Sequence, residues 1–216
     1  MHTLGVAASV AHTHDLSRRQ QAIGPLEAWT VLEGGSLVVV EHARGPESSM
    51  LIACSLPGAS RTDVLLAAEL RAAARRARGE SLKVIAFDLG LSPCVVSKRV
   101  GCAMRKLRLE SLAELVALFG GWPASVTASR LVGGRAEGLA LTYRAPAWPL
   151  PPCLTAAERG VVQGLVEGKP YAAIARERGC SPNTVAAQVA SVYRKMNVGS
   201  RLDLFVALQR SARTPT

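Results

Sequence analysis

The sequence predicts a mainly helical α+β fold, with two tandem four-helix units each preceded by a short β-hairpin. Three observations carry that expectation. The segment from Leu65 to Phe119 aligns without a gap on Leu154 to Leu208 at a spacing of 89 residues, and sixteen of 55 pairs are identical. Ser92-Pro93 and Ser181-Pro182 are equivalent and both read as helix starts. Ahead of each copy, two short apolar segments flank a glycine-containing turn.

The first hairpin is read from Ser36 to Glu41 and Met50 to Ser55 around Arg44-Gly45-Pro46-Glu47. The second is read from Ser125 to Leu131 and Gly138 to Arg144 around Gly133-Gly134. A lone hairpin is marginal in water, so the two either pack together or each rests on its own helical unit. Pro146, Pro149, Pro151 and Pro152 form a stiff linker. In the first unit the helices are expected near Asp63–Arg78, Leu82–Leu89, Pro93–Leu107 and Ser111–Phe119. In the second, Thr155 and Glu158 have capping-box spacing, and that helix ends near Gly168. Tyr171 to Arg178, Ser181 to about Met196 and a helix from Ser200 complete it. The expected divisions are 1–28, a weakly structured extension with a short helix expected to begin over Ser17 to Gln21; 29–60, the first hairpin; 61–120, the first unit; 121–153, the second hairpin and linker; 154–210, the second unit; and 211–216, a tail.

Composition narrows the function class. A net charge of +10 and a pI near 10 call for a polyanionic partner. No apolar run approaches the roughly 18 residues that cross a bilayer, and no basic leader with a cleavage site opens the chain. Five cysteines without CxxC spacing suit reduced thiols in a cytoplasm. Enzyme readings lack residues: there is no phosphate-cradling glycine loop, no nucleophile elbow, and no histidine in either helical unit. His12-x-His14 has no further ligand near it, so no metal or cofactor is expected.

The repeated positions fit a helix-turn-helix. Ala86 and Ala175 let two helices cross closely, and Gly90 and Gly179 permit a positive φ four residues later. Val96 and Val185 anchor the buried face of the next helix, whose Ser-Pro start presents backbone N–H groups to a phosphate. The run Leu154-Thr155-Ala156-Ala157-Glu158-Arg159, Ile174-Ala175, Ser181-Pro182-Asn183-Thr184-Val185 and Arg194 to Arg201 resembles the LuxR/GerE-type helix-turn-helix of bacterial transcription regulators. The first unit resembles it less completely, with Leu66 for the leading Thr and Leu112 for the closing Arg. Its Val95 to Arg99 stretch and Arg105 to Arg108 tail are also similar to region 4 of sigma factors.

The resemblance implies sequence-specific DNA binding, with recognition helices in the major groove and their flanks on phosphates. In the first unit it places Ser97, Lys98 and Arg99 on bases, with Cys94 at the helix start and Ser92, Arg105 and Lys106 on the backbone. In the second it places Asn183, Thr184 and Gln188 on bases and Ser181, Arg194 and Lys195 on phosphates. Ala186 and Gln188 stand where the family commonly has Lys and His. The first unit is the more basic reader, with Lys98, Arg99, Arg105, Lys106 and Arg108 and no acid between Pro93 and Arg108. The four arginines from Arg71 to Arg78 read as a solvated face, Cys94 as a small polar contact, and Trp29, Trp122 and Trp148 as junction packing.

Double-stranded DNA is thus the expected partner, with RNA polymerase or another regulator as further candidates and no membrane. The last helices are expected to pair, as an internal pseudo-dimer with Leu115, Val116 and Phe119 against Leu204, Phe205 and Leu208, or as a homodimer. Relatives usually place a sensor ahead of one such unit; residues 1–28 are too few for one, so control is expected from a partner or from abundance. The alternative is an interaction adaptor that keeps the fold without specific DNA binding. A sigma-like subunit ranks below both.

Overall fold

The computed structural model describes residues 20–133, 136–144 and 148–212. Strand β1 (Gln20–Ile23) leads into helix α1 (Pro25–Glu33), and β2 (Leu37–Arg44) and β3 (Ser48–Ser55) follow. Four helices come next: α2 (Ala67–Ala77), α3 (Leu82–Leu89), α4 (Pro93–Lys106) and α5 (Leu112–Phe119). The chain then returns as β4 (Val126–Gly133) and β5 (Ala136–Arg144). It ends in α6 (Ala156–Val166), α7 (Tyr171–Glu177), α8 (Pro182–Met196) and α9 (Arg201–Ser211). The fold is mixed helix and sheet, as the sequence predicts.

The β-structure differs from two separate hairpins. All five strands form one antiparallel sheet in the order β1-β4-β5-β3-β2. The second hairpin therefore slots between β1 and β3 and contributes its core to the first helical unit. Merging pairs the inner edge of each hairpin, which a lone hairpin would leave open. Residues 20–33 also differ from expectation: a strand and a helix replace the weakly structured start, and α1 occupies the beginning of the expected first hairpin. Pro25 at the first helical position, with Ala28 and Leu32 buried four residues apart, builds α1. The expected helix start near Ser17, the His12/His14 pair, Gly134 and Pro146 lie outside the described residues.

Two cores result. One joins Leu51, Leu139 and Leu141 of the sheet to Leu70, Leu115 and Phe119 of the first helical unit. Trp29 stacks edge-on against Phe119 at 5.8 Å and Trp122 at 5.6 Å, so two of the tryptophans do pack where α1, α5 and the sheet meet. Polar contacts fasten the sheet to the α4–α5 turn. His42 Nε2 lies 2.7 Å from Tyr143 Oη and its Nδ1 lies 3.0 Å from the Arg108 carbonyl. Arg44 donates to Glu114 at 2.7 Å and to the same Arg108 carbonyl.

The second core gathers α6 to α9 and reaches across to Ala113 and Val116 of α5. Helices α5 and α9 thus pack on each other, and the Gln209 amide donates to the Val116 carbonyl at 2.9 Å. Leu115 and Phe119, expected at this seam, point instead into the sheet-side core, because a helix buried on both flanks divides its apolar residues between them. Gly79 and Gly168, both with positive φ, bring their turns close to the opposite unit: a Cβ on Gly79 would lie 3.3 Å from Val206, and one on Gly168 3.3 Å from Ser111. Trp148 packs on Phe205 at 5.6 Å, within the second core.

Candidate nucleic-acid interface

Helices α4 and α8 are built by the same local devices. Ser92 Oγ accepts from the Val95 amide at 3.3 Å, and Ser181 Oγ from the Thr184 amide at 3.1 Å. Each serine is followed by proline, and each preceding helix ends on a glycine at φ 62°, Gly90 and Gly179. The next amide folds back, from Leu91 to the Ala86 carbonyl at 2.9 Å and from Cys180 to the Ala175 carbonyl at 3.0 Å. Ile85 and Ala86, like Ile174 and Ala175, are buried at the crossing, and Val96 and Val185 are fully buried.

A second shared device braces each helix from behind. Lys106 Nζ donates to Glu69 Oε2 at 2.7 Å, and Lys195 Nζ donates to Glu158 Oε2 at 2.7 Å. In both units the pair ties the end of the presented helix to the first turn of the first helix. Lys106 is sealed, its side chain 4 % exposed, and its ammonium is engaged by Glu69 and the Arg61 carbonyl rather than turned to solvent. Lys195 stays partly exposed but its ammonium is engaged by Glu158 and the Cys153 carbonyl. The sequence carried a signal for these clamps: both glutamates are among the identical pairs, each 37 residues before its lysine.

Glu158 also completes a capping box with Thr155 and accepts from Ser191 at 2.8 Å. The Lys195 ammonium, with the Thr155 amide and the Ser191 hydroxyl, holds its carboxyl down at about 2 from the ordinary 4.5. A depressed carboxyl stabilises the fold fully above its unfolded value and loses that contribution as pH falls through the folded one. Acid titration of the thermal midpoint should therefore show a decline between about pH 4.5 and about pH 2 that is shallower in Glu158→Gln; equal slopes would remove Glu158 as its source.

The outward surfaces differ. On α4, Cys94, Val95, Ser97, Lys98 and Arg105 are exposed and Arg99 is half-buried. With Lys106 withdrawn, Lys98, Arg99, Arg105 and the exposed Arg108 remain as the cationic set. On α8, Asn183, Thr184, Ala186, Ala187 and Arg194 are exposed, and Thr184 Oγ1 lies 2.9 Å from Ser181 Oγ. Gln188 is half-buried, and its amide oxygen is buried without a hydrogen-bond partner among the described residues. Of the four nearby arginines expected on a solvated face, Arg71 and Arg78 are exposed, Arg71 pairing with Glu33 at the surface, while the half-buried Arg75 and Arg76 are tied to Glu80 and Asp88 and to the Glu80 carbonyl.

Residues 152–208 match the family model for bacterial regulatory proteins of the luxR family. This segment, which holds α6 to α8 and most of α9, is similar to a luxR-family helix-turn-helix domain, and the match suggests DNA-binding transcription regulation. No curated protein and no solved structure matches the chain. No helix among the described residues is long and apolar enough to cross a membrane.

Proposed function

We propose that this protein is a sequence-specific DNA-binding transcription regulator that sets two recognition helices, α4 and α8, into the major groove. The observation that carries the reading is the duplication of the presenting device. Both helices begin at a Ser-Pro cap after a glycine at φ 62°, and both are braced by a Glu–Lys pair at 2.7 Å. Only the second copy lies within the matched family segment.

In this reading Ser92 and Ser181 open anion-accepting helix starts, Lys98 and Arg99 read bases with Ser97, and Asn183 and Thr184 do so on α8. Arg105 and Arg194 hold phosphates. In this reading the packing of α5 on α9 does inside one chain what pairing of subunits does elsewhere, and the two readers address successive major grooves, roughly 34 Å apart on the duplex. Their faces are chemically unlike, so the target is an asymmetric site.

The test is retention of duplex DNA as salt is raised, followed by footprinting of selected genomic fragments. A steep fall of affinity with salt and an asymmetric footprint from one chain are expected. Indifference to duplex DNA in dilute buffer would end the reading, and a palindromic footprint from two chains would end the internal-pair version of it.

A further inference from the structure

Helix α3, which precedes the presented helix of the first unit, carries an apolar face turned to solvent. Phe87 is 87 % exposed and Val84, three residues before it, is 49 % exposed. Leu89 and, at the start of α4, Val95 are exposed as well. Residues three apart on a helix share a face, so Phe87 and Val84 form one strip. Isolated exposed leucines are ordinary on protein surfaces, but an aromatic ring almost wholly in water beside other apolar groups marks a place where something docks.

The chain supplies its own control. At the equivalent positions of the second unit stand Ala173 for Val84, Arg176 for Phe87, Arg178 for Leu89 and Thr184 for Val95. The same scaffold therefore presents a polar, cationic surface in one copy and an apolar one in the other. A backbone-contacting helix gains nothing from a phenyl ring against phosphate, so the substitution points away from nucleic acid at this face.

Charge selects the occupant. Lys83 stands next to Val84 and one helical turn from Phe87 on α3, is exposed, and makes no ion pair among the described residues. Asp88, the acid within α3, is taken up by Arg75. The free charge that α3 offers beside its apolar strip is thus positive. A second copy of this chain, meeting it face to face, would set Lys83 against Lys83 on molecules that each carry +10. We propose that the exposed face of α3 docks an acidic amphipathic helix of a second protein, with Phe87 as the anchor residue and Lys83 pairing with an acidic flank.

A phage-displayed library of randomised helical peptides, panned against the full chain, tests this directly. Enrichment of peptides with an apolar face flanked by Asp and Glu is expected, with binding at least about tenfold weaker to Phe87→Ala. That variant removes a solvent-exposed ring, so its thermal melt should match the parent and its release from duplex DNA should occur at the same salt. Failure to enrich, enrichment without acidic bias, or equal binding to Phe87→Ala would overturn the proposal. So would loss of DNA by Phe87→Ala, which would return the strip to the nucleic-acid interface.

Discussion

The double variant Lys98→Ala/Arg99→Ala is expected to lose duplex DNA affinity by roughly a hundredfold near ~150 mM salt, on the scale of two charged contacts at about 1–3 kcal/mol each. Lys98 is exposed and Arg99 half-exposed on α4, and neither is paired with an acid among the described residues, so both retain their charge for the groove. Loss of these base contacts should also relax the sequence preference, whereas Arg105→Ala, which removes a phosphate contact, should flatten the salt dependence by about 0.9 units of slope. Gln188→Ala on α8 should cost far less, because that side chain is uncharged and half-buried, with its amide oxygen out of solvent. Anisotropy titrations of a labelled duplex at several salt concentrations compare the two. Equal losses would rule out the first unit as the firmer of the two readers.

Lys106→Met should destabilise the sheet-side core by about 3 kcal/mol, because it leaves the Glu69 carboxylate buried without its partner. The corresponding Lys195→Met should cost less, since Lys195 is about a third exposed and solvent already screens that pair. Urea denaturation reads both. Adding Glu69→Gln to Lys106→Met should recover part of the loss, as removing both charges is cheaper than stranding one. If Lys106→Met unfolds like the parent yet releases DNA at lower salt, then the lysine belongs to the DNA surface after all.

The helices were legible because their signals are local. Leu82–Leu89 was readable to the residue from Ser81 ahead of it and Gly90 behind, and Ser-Pro marked α4 and α8. The four strands of the two hairpins could be read from their apolar runs and turns, but their joining could not: pairing between β3 and β5 is set by partners far apart in sequence, and neither run alone encodes its neighbour. Strand β1 and helix α1 escaped notice because a four-residue strand has no usable period and α1 is short and bounded by glycine and proline. At the candidate interface, helix position told which side chains could face outward, but not their engagement. Lys106 and Lys195 look like phosphate ligands in sequence, and only packing reveals the glutamates that hold them. Phe87 reads as core by residue type, and only its place on α3 exposes it.

Because Gln20 pairs with Leu131 and Ser48 with Arg144, a nascent chain cannot close its sheet until the segment following the first helical unit has left the ribosome. Synthesis at about 5–20 residues per second then imposes seconds of waiting, during which β3 offers the edge that β5 will cover to any other strand nearby. A truncation made after Phe119, however tidy it looks on a linear map, would make that exposure permanent: it strands β1 without a neighbour and uncovers the apolar face of α5. Expression of the first reader by itself is therefore a recipe for aggregates, and keeping the β4–β5 segment with it restores only the sheet-side flank of α5.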